Sequence, residues 1–203
     1  MIYAAMVSFA AEHDGYLPVP ALVWESPANN GANVAWAMDA AYPNGGTVDF
    51  NTGTLWPYMP PTLTARQQAV ICPADTADAS IYNALNINRN FSYSFNSNIG
   101  HPSGQVSMEL TAVAKPPSRI LIYEENAPND EWSLGGTGYA DLPSGRHGSS
   151  RADQQGTSNN VWMTAGRGNY CFFDGHIESL SPAQIINDVQ QNPGNSRYSP
   201  LTQ

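Results

Sequence analysis

The sequence predicts an α+β domain, with a helix at each end and an antiparallel β-sheet between them. Three observations carry that expectation. Ile2, Met6, Phe9 and His13 recur at helical spacing in an alanine-rich stretch. Tyr170 to Phe173 and Ile177 to Leu180 flank Asp174-Gly175, a pair suited to the type I′ turn of a two-residue hairpin. Ser181-Pro182-Ala183-Gln184 then opens a helix, with serine as N-cap, proline at the first helical position and glutamine at the third.

Taken in order, residues 1 to about 14 form a helix stopped by His13-Asp14-Gly15, with Gly15 at C′ and Pro18 and Pro20 beyond. No serine, threonine, aspartate or asparagine caps its start, which is expected of the C-terminal part of a longer helix. From Leu22 to Tyr58 short apolar pieces alternate with turns such as Asn29-Asn30-Gly31, and Thr54-Leu55-Trp56-Pro57-Tyr58 forms an aromatic anchor before Pro60-Pro61. Thr64 to Gln68 can start a helical turn, and Ala69-Val70-Ile71-Cys72 reads as a short buried strand ended by Pro73. Phe91-Ser92-Tyr93-Ser94-Phe95 alternates with period two, a half-buried strand with aromatics on one face and serines on the other. Ile120-Leu121-Ile122-Tyr123, entered through Pro116-Pro117-Ser118, is a central strand. Residues 127 to 168 make a long irregular excursion. The last helix reaches about Gln191, before Asn192-Pro193-Gly194, so a single domain spans 1–192 with a tail at 193–203.

Two hundred and three residues suffice for one domain with a real core. Seventeen acidic against eight basic residues give a net charge of −9, which argues against nucleic acid and against electrostatic binding to anionic lipid. The apolar run from Ile2 to Ala11 is too short to cross a bilayer, which takes about 20 residues. Seventeen glycines and sixteen prolines announce loops, which the five tryptophans and ten tyrosines must anchor.

Chemistry is sparse. His147, Asp174 and His176 are types that ligate zinc or work as acid and base, but no His-Glu-x-x-His spacing holds two of them on one face. Asp174-Gly175 is equally explained by its turn, and His147 by a hydrogen bond pinning its loop to the hairpin. Glu124, Glu125 and Asp130 form an acidic cluster whose carboxylates suit calcium, without a calcium-loop motif; solvated charge accounts for it too. Cys72 and Cys171 can close a loop of about a hundred residues, worth ~4–5 kcal/mol in an oxidising compartment, or remain two separate buried thiols. Nucleophile elbows and phosphate-cradling loops are absent. Trp24, Trp36, Trp56, Trp132 and Trp162 are loop anchors or, alternatively, a sugar-stacking face.

The order Asp14-Gly15-Tyr16-Leu17-Pro18, Gly53-Thr54-Leu55-Trp56-Pro57-Tyr58, Cys72-Pro73-Ala74-Asp75, Ser92-Tyr93-Ser94-Phe95-Asn96, Lys115-Pro116-Pro117-Ser118-Arg119, Arg146-His147-Gly148 and Phe172-Phe173-Asp174-Gly175-His176-Ile177 resembles one family. It is similar to the type II secretion pseudopilin-like proteins with an H-X9-DG C-terminal signature. The resemblance spans about residues 1–180 and implies a type IV pilin-like fold, an N-terminal helix packed on an antiparallel sheet. It implies a non-enzymatic structural subunit of a secreted or cell-envelope filament, with other pilin-like subunits as partners. Membrane contact would come through an apolar N-terminal helix absent from these residues, holding the subunit in the inner membrane before assembly. His147, Asp174, Gly175 and His176 would be the signature, although His147 and Asp174 stand 27 positions apart, an insertion over Ser149 to Gly166. Calcium is bound by some major pseudopilins, and comes to this chain by that analogy alone. Two rivals stand beside the filament subunit: a calcium- or glycan-binding surface module, and a metal-dependent hydrolase built on His147, Asp174 and His176.

Overall fold

The structure is a computed structural model, and it describes residues 1–18, 55–75, 92–96, 108–124, 143–145, 147–148 and 166–191. Within them lie three α-helices, α1 (Ile2–Glu12), α2 (Leu63–Val70) and α3 (Pro182–Gln191). Four strands, β1 (Tyr93–Phe95), β2 (Ile120–Glu124), β3 (Gly168–Phe172) and β4 (Ile177–Leu180), form one sheet in the order β1-β2-β3-β4. Every pairing is antiparallel. The chain is therefore α+β, as its helical and alternating segments predict.

Side-chain alternation along the strands divides the core between the two faces of the sheet. On one face Ile2, Ala5, Met6 and Ala10 of α1 pack with Leu55, Trp56, Phe95, Ile122 and Phe173. On the other, Ile120, Tyr123, Tyr170, Phe172 and Leu180 pack with Ile185 of α3. The sheet thus lies between α1 and α3. Full burial of side chains as large as Met6, Leu55 or Phe95 contributes roughly 1.5–3 kcal/mol each. A bulge between Ile120 and Ile122 shifts the β2–β3 register, and it lets both Leu121 and Ile122 join the α1 cluster.

The end of α1 differs in detail from expectation. His13 is the C-cap, Asp14 takes the left-handed C′ position at φ 52°, and Gly15 follows at φ 87°. The Gly15 amide donates to the Ala10 carbonyl at 2.8 Å, the long bond of a Schellman motif. Tyr58, in the helical turn Trp56–Tyr58, ties the anchor to this end by donating to Glu12 at 2.8 Å. At the other terminus Ser181 Oγ accepts from the Gln184 amide at 3.2 Å, while Gln184 Oε1 accepts from the Ser181 amide at 2.9 Å. This is the reciprocal cap anticipated for α3.

Three local expectations are corrected. Ala69 and Val70 are the last turn of α2, not a strand, and Ile71 is its C-cap. Thr62 caps that helix by accepting from the Ala65 amide. The serines of this stretch are both buried: Ser94 within β1, and Ser92 just before it, whose Oγ accepts from the Cys72 amide and donates to Asp75. The hairpin turn is not the two-residue type: Phe172 pairs with His176 around Phe173, Asp174 and Gly175, and Gly175 alone is left-handed, at φ 90°. The extra residue, Phe173, is buried in the α1 cluster, with its amide on the Arg119 carbonyl.

Candidate functional site

At the open end of the hairpin three separated segments converge. Glu124, the last residue of β2, is fully buried. Cys72 lies two residues beyond α2, its backbone fixed by Ser92. His147 is held by a two-way backbone bridge to Arg167, at the threshold of β3. The imidazole Nε2 stands 3.0 Å from each carboxylate oxygen of Glu124 and 3.5 Å from Cys72 Sγ. Asn169 of β3 closes the group. Its backbone amide donates to Glu124 Oε2 at 3.0 Å and its side-chain amide to Oε1 at 3.2 Å, with Nδ2 also 3.0 Å from His147 Nε2.

The fold makes these neighbours in a simple way. Ile122 and Glu124 alternate onto the α1 face of β2, as Cys171 and Asn169 do on β3. The segment at 143–145 keeps the end of β2 covered, since the Ser144 amide donates to the Glu124 carbonyl at 2.8 Å. Gly168 allows that approach: a Cβ there would stand 2.4 Å from the Ser144 carbonyl oxygen. The Glu124 side chain is sealed from water, whereas the His147 side chain is 34% exposed. One edge of the cluster is therefore open. Among the described residues, Cys72, Glu124 and His147 are the group whose ligand atoms all lie within 4.8 Å of one another.

The site residues expected from sequence are redistributed by this geometry. Asp174 and His176 sit in the hairpin turn, at the opposite end of β3 from His147, so the three do not form one site. The His176 ring meets Asp174 at 2.6 Å through Nδ1 and Glu178 at 3.3 Å through Nε2. The Asp174 hydrogen bond raises the His176 pKa. For Asp174 slight burial acts upward, but the bonds from His176 outweigh it and the carboxyl falls below its usual range. Phe172 stacks on the His176 ring with centroids 4.3 Å apart. Gly175 backs onto α1, where Tyr3 donates to the Phe173 carbonyl at 3.1 Å.

Glu124 has a thiol, an imidazole and an amide beside it, a mixed set rather than the oxygen donors that calcium prefers. Glu125 and Asp130 lie outside the described residues. Cys72 and Cys171 are not bridged to each other in this structure. Cys72 turns to His147, whereas Cys171 lines a cavity of about 360 Å³ beside Ile2, Tyr3, Tyr93 and Ile122. Burial pushes the Cys171 thiol up to about 11. Trp56 is buried and offers no face to a sugar; the other four tryptophans lie outside the described residues. Cys72 is the member of the cluster that sequence reasoning left out, because it stands 52 positions from Glu124 and no local spacing links them.

Comparison with protein-family models, with curated proteins and with solved structures finds no match to this chain.

Proposed function

We propose that this chain is the globular part of a pilin-like or pseudopilin-like subunit, which works by assembly into an envelope or extracellular filament. The observation that carries the reading is the placement of α1. An apolar helix lies along one face of a four-stranded antiparallel sheet, and Tyr3 in its first turn bonds directly to the hairpin turn. A helix secured in this way suits a handle by which a rigid head is carried on a filament core. Met1 is 70% exposed whereas Ile2 is buried, so the core contact begins at the second residue.

In this reading the partners are other pilin-like subunits, joined through an apolar helical segment that continues α1 outward, and the sheet and loops face away from the filament axis. The head itself carries no catalytic task. Filaments sheared from the native cells and probed with an antibody raised against this domain test the proposal. The reading expects the protein in the filament fraction at a longer mass than 21.9 kDa. Exclusive recovery from the soluble fraction would refute it.

A further inference from the structure

We infer that Cys72, Glu124 and His147 bind one divalent transition-metal ion of the zinc type, which staples α2, β2 and the segment before β3 together. This site stands on the folded domain alone and does not depend on the filament reading.

The first argument is a count of protons. A neutral imidazole nitrogen offers one in-plane proton or one lone pair. Yet Nε2 of His147 faces both Glu124 oxygens at 3.0 Å, Cys72 Sγ at 3.5 Å and Asn169 Nδ2 at 3.0 Å. One proton cannot serve the carboxylate and the sulfur together, whereas one cation among them meets the sulfur, the nitrogen and a carboxylate oxygen at once, with Asn169 Nδ2 left to donate to Glu124 Oε1. A buried carboxylate also costs several kcal/mol unless it is compensated. Asn169 gives Glu124 two hydrogen bonds, and among the described residues His147 is the basic side chain within ion-pair distance of it.

The second argument is the donor set and its spacing. A thiolate sulfur, an imidazole nitrogen and a carboxylate oxygen are the three ligand types that zinc accepts. With ordinary zinc–ligand lengths and tetrahedral angles, sulfur and nitrogen should stand about 3.5 Å apart and nitrogen and oxygen about 3.3 Å. The 3.5 Å from sulfur to nitrogen fits, and the 3.0 Å from nitrogen to oxygen needs only a small expansion.

The third argument is the support around the donors. Metal ligands are usually held by a further layer of hydrogen bonds. Here Asn169 holds Glu124 through two donors, Ser92 holds the Cys72 backbone while itself anchored on Asp75, and the Arg167 bridge fixes His147. The exposed edge of His147 provides the way in and leaves a fourth position for water. Three protein ligands and an open position also describe a site able to take an exogenous ligand.

The test uses the full chain, stripped of metal with a chelator under reducing conditions and titrated with Co²⁺ or Zn²⁺. A single equivalent of Co²⁺ should bind and give a thiolate-to-cobalt charge-transfer band together with the visible bands of a tetrahedral ion. Zn²⁺ should displace it and raise the melting temperature, as any ligand specific to the folded state must. Cys72→Ser should abolish the charge-transfer band. His147→Gln should weaken binding beyond the roughly 10–100-fold lost when an outer hydrogen-bond partner of a metal ligand is removed. Cys171→Ser should leave both unchanged. The inference is overturned if the wild type binds neither ion at micromolar concentration, or if the band survives in Cys72→Ser. Should the ligand variants not fold, as judged by circular dichroism, the wild type and Cys171→Ser still decide: loss of the band in Cys171→Ser places the metal on the other thiol.

Discussion

Gly175 is where the N-terminal helix and the hairpin depend on a missing side chain. At φ 90° an alanine in its place would pay for the left-handed region, about 1–2 kcal/mol. Its Cβ would also stand 2.6 Å from Tyr3 Cε1 and 2.9 Å from Cζ. Tyr3 would have to swing away, giving up its hydrogen bond to the Phe173 carbonyl, worth about 1 kcal/mol. Against these, alanine narrows the unfolded ensemble and returns about 0.4–1 kcal/mol. The net expectation for Gly175→Ala is a loss of roughly 2 kcal/mol. In a Tyr3→Ala background the steric part vanishes and only the backbone part remains, so the same change should cost about 1 kcal/mol, a coupling of about 1 kcal/mol. Urea unfolding of the four proteins of the cycle measures both quantities, with the slope m unchanged if the native fold is kept. A Gly175→Ala protein within 0.5 kcal/mol of wild type, or an equal cost in both backgrounds, would refute the reasoning (thresholds of about the size of ordinary non-additivity).

Other perturbations follow from the same contacts. Gly168→Ala places Cβ against the Ser144 backbone, which cannot turn aside, so it should cost about 1–3 kcal/mol in denaturant unfolding. Trp56→Ala empties a site only 1% exposed, and should cost about 3–5 kcal/mol by the same assay. The His176 pKa is raised above 6.5, so its contribution to stability is full below 6.5 and lost as pH rises through the folded value. The Asp174 pKa is lowered below 3.8, so its contribution is present above 3.8 and lost as pH falls through the folded value. The pair therefore supports the turn most between those limits; NMR should find His176 titrating above 6.5, and Asp174→Asn should bring it down. Because burial pushes the Cys171 thiol up to about 11, iodoacetamide should label it slowly at neutral pH and much faster above pH 10, as mass spectrometry would follow.

The ends of the chain were the most legible in sequence. α1 and α3 carry their own instructions, a Schellman stop around Asp14-Gly15 and a reciprocal Ser181–Gln184 cap, and both act within one turn of helix. β2 was equally plain, since a four-residue apolar run entered through prolines has few other uses. The run from Ala69 to Cys72 misled because so short an apolar stretch has no period to separate strand from helix; the Thr62 cap decided it. The burial of Ser92 follows from Cys72 and Asp75, residues no strand pattern can contain. The hairpin turn gained a residue because Phe173 is drawn into the core under α1.

The candidate site was least legible. Glu124 and His147 each carry a metal expectation in sequence, and the structure sets them beside each other and beside Cys72. Adjacency groups Glu124 with Glu125 and Asp130, which lie outside the described residues. Shared signature grouped His147 with Asp174, although the two lie at opposite ends of β3. What joins Cys72, Glu124 and His147 is the sheet register and the backbone bridge at Arg167, both set by tertiary pairing. Sequence distance hides such a site entirely.

The intact mass and N-terminal sequence of the protein recovered from its native cells test the central proposal most directly. The filament reading predicts a longer polypeptide that opens with a methylated residue and about 20 apolar residues, enough helix to span a bilayer, running into α1. A mature chain beginning near Met1 would contradict it.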